Sequence, residues 1–140
     1  HYKSLARLLN IRDRVIFLGQ VRNIQNALSI TDVAVLPTFY DPASRFTLEA
    51  LAAGTPAITT AFNGAGDLFK SGEHGLVIDS PTNISQLTDA LKFFSDPEII
   101  DKFKQNIQKD DLKSEISILR VATDLKQLYS SILEKRKEIK

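Results

Sequence analysis

Four short runs of apolar and β-branched residues, separated by helical patterns, constrain the fold of this 140-residue chain more than any other feature. The runs are Val15–Leu18, Val33–Leu36, Pro56–Thr60 and Gly75–Ile78. Strands that are apolar on both faces are typical of parallel sheets covered by helices on both sides. The sequence therefore predicts one α/β domain with a doubly wound parallel sheet, and the chain is long enough for one core.

The segments between and after these runs carry helix signals. Asn23 is expected to cap a helix, and the pattern over Phe46–Ala53 predicts another that ends at Gly54. The last helix carries an apolar stripe, and its polar end, residues 134–140, is expected to fray. Further helix starts are predicted at Ser80-Pro81, Asp96-Pro97 and Ser114.

Composition excludes several classes of function. Lys and Arg total 18 against 17 Asp and Glu, so broad attraction to nucleic-acid phosphates is disfavoured. The absence of cysteine excludes disulfides, thiolate catalysis and cysteine metal sites. The two histidines, His1 and His74, are far apart, so no metal site is predicted; His74 is expected to lie in an exposed loop without a role.

The candidate site follows the second apolar run. Ligands of open α/β sheets bind at the carboxyl ends of the strands, where Asp41 lies in a loop and Glu49 in the next helix. Either Asp41-Pro42 or Ser44 is a plausible helix start, and a helix N-terminus offers free N–H groups to an anion. For Asp41, an N-cap role and a ligand role remain open alternatives.

Glu49 is the sharper observation. Its adjacent residues are apolar, and Arg45 is its only polar neighbour one helical turn away. Burial of such a carboxylate is costly unless it is hydrogen-bonded, and ligand hydroxyls could supply those bonds. The alternative is a surface ion pair between Arg45 and Glu49 at i, i+4.

Two glycine-containing segments give weaker signals. Asn63-Gly64 follows the third run, and Gly19-Gln20-Val21 follows the first. Either is accounted for by turn chemistry, or by close approach of the backbone to a ligand.

The stretch LPTFYDPASRFTLEALAAGTPAITTAFNG, residues 36–64, resembles the nucleotide-sugar-binding core of family 4 retaining glycosyltransferases of the GT-B fold. Lipopolysaccharide-core glucosyltransferases and their relatives are the most similar. The segments VIFLG, TDVAVLP and GEHGLVI fit the same pattern. The resemblance implies that residues 1–140 are a partial C-terminal donor-binding domain, a Rossmann-like half truncated at its N-terminus. It also implies that the N-terminal acceptor domain and the first βα units, which in the family supply a Lys and an Arg to the diphosphate, are missing from these residues.

The resemblance also implies roles for individual residues. Glu49 would hydrogen-bond the ribose of the nucleotide, and Asp41, where relatives usually have Glu, would be catalytic beside the donor sugar. The remaining implied contacts are the backbone of Ala43, Ser44 and Arg45 with the sugar and diphosphate, Asn63-Gly64 with the sugar, and Gly19 and Val21 with the base. Neither a metal nor a cofactor is implied, since the nucleotide-sugar is a substrate.

The implied activity is transfer of a sugar from a nucleotide-sugar to a hydroxyl with retention, in lipopolysaccharide or polysaccharide biosynthesis. The glycan or lipid-linked acceptor would bind the missing domain, so the 140 residues alone are expected to be inert. The resemblance places the protein in the cytoplasm, at the inner membrane face. The truncated sheet is expected to have an open edge that permits self-association. A non-catalytic remnant that serves as a binding or assembly module is the alternative; a sugar-nucleotide epimerase fits less well.

Overall fold

A computed structural model describes residues 1–138. The helix that contains the expected frayed end continues to Glu138, and residues 139–140 lie outside the described part. Two 3₁₀ turns cover Arg12–Arg14 and Gly64–Leu68. The remaining elements are α1 (Tyr2–Leu8), α2 (Ile24–Ser29), β1 (Ala34–Leu36), α3 (Arg45–Ala52), β2 (Ala57–Thr60), β3 (Gly75–Ile78), α4 (Ile84–Phe93), α5 (Pro97–Lys109), α6 (Leu112–Glu115) and α7 (Ile118–Glu138).

The sheet is parallel, as the sequence predicts, with strand order β1-β2-β3 over the described residues. Ala34 lies opposite Ala57, and Ile58 lies opposite Leu76. Helix α3 connects β1 to β2, and Gly54, at φ +82°, ends that helix as expected. The carboxyl ends of β1 and β2 therefore meet at one edge of the sheet.

Helices cover both faces of the sheet. On one face Ile58 and Ile78 pack with Phe94 and Phe103 of the α4–α5 region. On the other face, Ala57 packs against Leu51 of α3 and Leu112 of α6, and Ala34 packs against Leu28 of α2. This two-sided burial is the physical reason that the strands are apolar throughout.

The prediction of a strand at Val15–Leu18 is wrong. These residues form an extended segment whose Ile16 side chain is 82% exposed and whose Leu18 side chain is 68% exposed. No strand among residues 1–138 pairs with it, and β1 likewise has one edge that no described strand covers. A strand needs a hydrogen-bonded neighbour, so the apolar run alone does not produce one.

Two of the predicted helix starts are also wrong. Helix α4 begins after Asn83, whose side chain accepts a hydrogen bond from the Gln86 amide, whereas Ser80 bonds Thr82 in the preceding turn. Ser114 lies within α6, and Ser117 accepts a hydrogen bond from the Arg120 amide at the start of α7. A competing polar residue within three positions displaced the start in each case. The caps at Asn23 and Asp96 are confirmed.

Helix α7 carries its apolar stripe on an exposed surface. Ile118, Leu128 and Ile132 are 78%, 52% and 52% exposed. Within residues 1–138, the length and apolar character needed to cross a bilayer are found together in no helix.

Candidate functional site

The loops that follow β1 and β2 are joined by their backbones. The Asp41 amide donates to the Phe62 carbonyl at 3.1 Å, and the Gly64 amide donates to the Asp41 carbonyl at 2.9 Å. A Cβ on Gly64 would overlap the backbone of Pro42. The loops therefore form one unit at the carboxyl edge of the sheet, where the sequence predicts the site.

The first turn of α3 faces this unit. Ser44 is the N-cap, and its Oγ accepts a hydrogen bond from the Thr47 amide at 3.3 Å. Among the hydrogen bonds of the described residues, none uses the amides of Arg45 or Phe46 as donor. Two free N–H groups and the positive end of a helix dipole make this turn receptive to an anion. The Arg45 side chain, 89% exposed, adds a positive charge.

Asp41 is not the cap of α3. Its Oδ1 accepts a hydrogen bond from the Ala43 amide at 3.2 Å, which shapes the loop before Ser44. The side chain of Asp41 is half-buried, and Ala43 is exposed. The carboxylate is thus partly engaged by its own loop.

Glu49 is less buried than its apolar neighbours predict, and that expectation is wrong. Its side chain is 35% exposed, and Oε1 lies 3.2 Å from Nη2 of Arg45, the i, i+4 pair that the sequence offers as the alternative. The reason is the orientation of α3: Ala50 and Leu51 face the sheet, whereas Glu49 points away from it.

Glu49 borders a cleft of about 390 Å³ between α2, α3 and α6. Polar side chains of α2 and α6 also line this cleft. The sequence alone does not identify them, because their pattern is that of ordinary solvent-exposed helix faces. Gly19 and Val21 are exposed but are not among its lining residues, so the described structure does not bring them to Glu49. The lining residues are Gln25, Asn26, Ser29, Glu49, Ala52, Ala53 and Lys113.

Asn63 is turned into the protein rather than towards solvent. Its side chain is 3% exposed, and its Oδ1 accepts hydrogen bonds from the amides of Ser44 at 3.2 Å and Ala65 at 3.0 Å. Its Nδ2 donates to Thr59 Oγ1 at 2.8 Å. Asn63 thus contacts both loops of the site from inside.

The expectation of an exposed His74 is wrong. The side chain is 1% exposed, with Nδ1 accepting from the Lys70 amide at 3.2 Å and Nε2 3.1 Å from Asp110 Oδ2. The surrounding glycines suggested a loop on the surface, but the C-terminal end of α5 packs over it. His74 connects the loop before β3 to that helix end.

Glu73, His74 and Asp110 have potential metal ligand atoms within 4.8 Å of one another. However, Lys70 Nζ lies 3.0 Å from Asp110 Oδ2 and 3.4 Å from Glu73 Oε2, which places a side-chain cation between the carboxylates. The hydrogen bond from Lys70 lowers the pKa of Asp110, and the same bond raises the pKa of Lys70. This geometry favours a cluster of ion pairs over a metal site.

Residues 1–110 match the family described as "Glycosyl transferases group 1". The chain is 34% identical over 137 residues to YtcC of Bacillus subtilis, a glycosyltransferase by name, covering 95% of the chain and 33% of YtcC. It is 29% identical over 91 residues to the lipopolysaccharide glucosyltransferase WaaG of Escherichia coli, covering 65% of the chain and 24% of WaaG. The chain thus spans about a third of the length of YtcC and a quarter of that of WaaG.

Solved structures give the same result for the fold. Sucrose-phosphate synthase of Thermosynechococcus elongatus superposes with a TM-score of 0.81 at 26% identity, over 96% of this chain and 34% of that one. Anabaena HepE in complex with UDP superposes with a TM-score of 0.80 at 18% identity, over 93% of this chain and 36% of that one. Such neighbours are glycosyltransferases of the GT-B fold, and the chain has the Rossmann-like half of that fold.

Proposed function

This chain belongs to the glycosyl transferases group 1 family, and on that basis we propose that it binds the nucleotide-sugar donor of a glycosyltransferase. The observation that carries the proposal is the joined pair of loops at the carboxyl edge of the sheet, with the open first turn of α3 beside it. HepE, which has the same fold, is described in complex with UDP and with UDP-glucose. We infer the same ligand class here.

The diphosphate of the donor is proposed to bind the first turn of α3. The amides of Arg45 and Phe46 donate to phosphate oxygens, and the guanidinium of Arg45 adds charge. As the diphosphate leaves, these donors stabilise its negative charge, so that no metal or cofactor is required. For this contact Arg45 releases part of its interaction with Glu49, which is a half-exposed pair and therefore weak.

Glu49 is proposed to bind the ribose hydroxyls in its cleft. A carboxylate accepts from two adjacent hydroxyls, and the cleft has both polar and apolar walls for a nucleoside. Gln25 and Asn26, on the opposite wall, are candidates for contact with the base. Gly19 and Val21 remain predicted to border it, just before α2.

Asp41 is proposed to lie beside the donor sugar, with the backbone of Ala43 and with Gly64. The sugar moves from the nucleotide to an acceptor hydroxyl with retention of anomeric configuration. The acceptor, a glycan or a lipid-linked glycan, binds a preceding domain, and the reaction takes place in the cytoplasm at the inner membrane face. The glycosyltransferase relatives do not favour the alternative of a non-catalytic remnant.

Titration with UDP-glucose tests the donor site. In ¹H–¹⁵N spectra, UDP and UDP-glucose are expected to shift the amides of Ser44, Arg45 and Phe46 and that of Glu49. UMP, without the second phosphate, is expected to shift the α3 amides less. Shifts confined to other regions would contradict the proposal.

Replacement Glu49→Ala tests the ribose contact. We expect UDP affinity to fall on the order of tenfold, because a charge-assisted hydrogen bond is lost. The matched control is Glu134→Ala on the exposed α7, which is expected to leave affinity unchanged. Equal affinities for the two variants would remove the role assigned to Glu49.

A further inference from the structure

We propose that Asn63 is a positioning residue for the donor site: it fixes the loop after β2 against the loop after β1 and thereby sets the first turn of α3. The inference rests on the proposed function, since it concerns the turn assigned to the diphosphate. It differs from the expectation that Asn63 lines the sugar pocket.

The side-chain amide of Asn63 is fully used inside the protein. Its Oδ1 accepts from two backbone amides, and its Nδ2 donates to Thr59 Oγ1 and, at 3.5 Å, approaches Thr47 Oγ1. With 3% of the residue exposed, no atom is free for a ligand. The side chain therefore acts on a ligand only through the groups that it holds.

The most consequential of these groups is the Ser44 amide, 19 residues earlier in the chain. Ser44 is the N-cap of α3, so the bond to its N–H holds the backbone of the residue whose Oγ accepts from the Thr47 amide. The orientation of the free amides of Arg45 and Phe46 follows from the cap. A loop on β2 thus decides where the anion-receptive turn on the β1 side points.

The chemistry of the position requires an amide. Thr59 Oγ1 donates to the Leu36 carbonyl at 3.1 Å, so it presents a lone pair to Asn63, and only a donor satisfies it. On the other side the position needs an acceptor for two backbone N–H groups. Thr59 belongs to the buried strand β2, so the amide anchors both loops to the rigid sheet.

Hydrogen exchange of the intact 140-residue chain tests the positioning directly. In Asn63→Ala we expect the Ser44 amide to exchange at least on the order of tenfold faster, because it loses its acceptor. In Asn63→Asp, which keeps an acceptor at Oδ1 but sets an oxygen against Thr59 Oγ1, the Ser44 amide is expected to exchange faster than in wild type but more slowly than in Asn63→Ala. The control is Thr55→Val, which removes the buried hydrogen bond to the Leu28 carbonyl at the far end of α3. Unchanged exchange of Ser44 in Asn63→Ala, or equal acceleration in Thr55→Val, would overturn the inference.

UDP affinity of the same variants tests whether this positioning matters for donor binding. We expect it to fall on the order of tenfold in Asn63→Ala and to stay unchanged in Thr55→Val, although both variants lose a buried hydrogen bond. Wild-type affinity in Asn63→Ala would overturn the inference alone. Failure of the wild-type chain to bind UDP would overturn the donor-site proposal as well.

If Asn63→Ala does not fold, Thr59→Val replaces it in both arms. That variant removes the nearer of the two acceptors of Nδ2 and leaves Oδ1 in place, so the side-chain amide is held less firmly. Faster Ser44 exchange with weaker UDP binding supports the inference, and wild-type behaviour in both arms opposes it.

Discussion

Gly64 lies where the backbones of the two site loops approach most closely. Its amide donates to the Asp41 carbonyl, and a Cβ in its place would overlap the Pro42 carbonyl group. Gly66, two residues later, has room, since its Cβ would meet Val77 Cγ2 at 3.5 Å. Replacing each of these two glycines with alanine therefore distinguishes the cost of a steric overlap from the effect of restricting the backbone.

We expect Gly64→Ala to lower the free energy of unfolding by about 1–3 kcal/mol, because the Pro42 loop must move. Gly66→Ala is expected to change it by about 0.5 kcal/mol or less. Urea unfolding monitored by circular dichroism measures both. Equal losses of unfolding free energy in the two variants would contradict the prediction, because the overlap with Pro42 would then have no measurable effect.

Asp41 and Glu49 form a pair that the sequence alone identifies, but their surroundings differ. Asp41 is one methylene shorter than Glu, about 1.5 Å less reach, and one of its oxygens bonds the Ala43 amide. Glu49 reaches its cleft on a longer side chain, and within residues 1–138 its side chain hydrogen-bonds Arg45 alone. The sequence identifies both carboxylates as candidate site residues, but it does not show that Asp41 bonds its own loop and Glu49 pairs with Arg45.

At the scale of elements, the loop Lys70–His74 is attached to the end of α5 through Asp110. Asp110 accepts a hydrogen bond from Lys70 Nζ and lies 3.1 Å from His74 Nε2. Asn106 donates to the Glu73 carbonyl one turn earlier. These contacts hold α5 against the loop that leads into β3.

The lowered pKa of Asp110 predicts a pH-dependent contribution to stability. Because the pKa in the folded protein lies below its ordinary value of 3.8, the carboxylate stabilises the fold above that pH, and the contribution is lost as the pH falls through the folded pKa. Asp110→Asn is therefore expected to lower Tm at pH 7, with a difference from wild type that shrinks below about pH 4. Thermal unfolding between pH 7 and pH 3 measures this. The control Asp101→Asn, on the exposed face of α5, is expected to follow wild type, and a constant difference for Asp110→Asn would contradict the prediction.

At the scale of the whole molecule, the described part leaves much apolar surface uncovered. The extended segment 15–18 is exposed, and one edge of β1 has no paired strand among residues 1–138. Unpaired edges and exposed apolar segments favour association between chains.

We expect the 140-residue chain to associate reversibly through this region, as sedimentation equilibrium at increasing concentration would detect. The double variant Ile16→Lys with Leu18→Lys is expected to weaken association, since both side chains are exposed and their replacement costs the fold little. Ile30→Lys, at an 85% exposed position on α2's end, is the control. Association that is unchanged in the double variant would assign it to another surface, such as α7.

The relation between sequence and structure differs by region. The runs at Ala34–Leu36, Ala57–Thr60 and Gly75–Ile78 became strands because each has a parallel neighbour and helices on both faces. The equally apolar run Val15–Leu18 did not, because no described strand accompanies it. The apolar pattern of α7 likewise predicted the helix but not its exposure. The hydrophobic pattern of a segment indicates which side chains can be buried. Whether they are buried depends on the elements that pack against the segment.

The amino-acid sequence by itself determined the α/β class, the parallel strands, the cap at Asn23, the end of α3 at Gly54 and the pair Asp41 and Glu49. These depend on local propensities, on hydrophobic periodicity and on short-range spacing. Only the tertiary structure decided that Asn63 bonds the Ser44 amide, that His74 is buried against Asp110, and that Glu49 faces a cleft with Gln25 and Lys113. These contacts join residues 19 to 64 positions apart, and no local pattern encodes which of them the packed sheet and helices bring together.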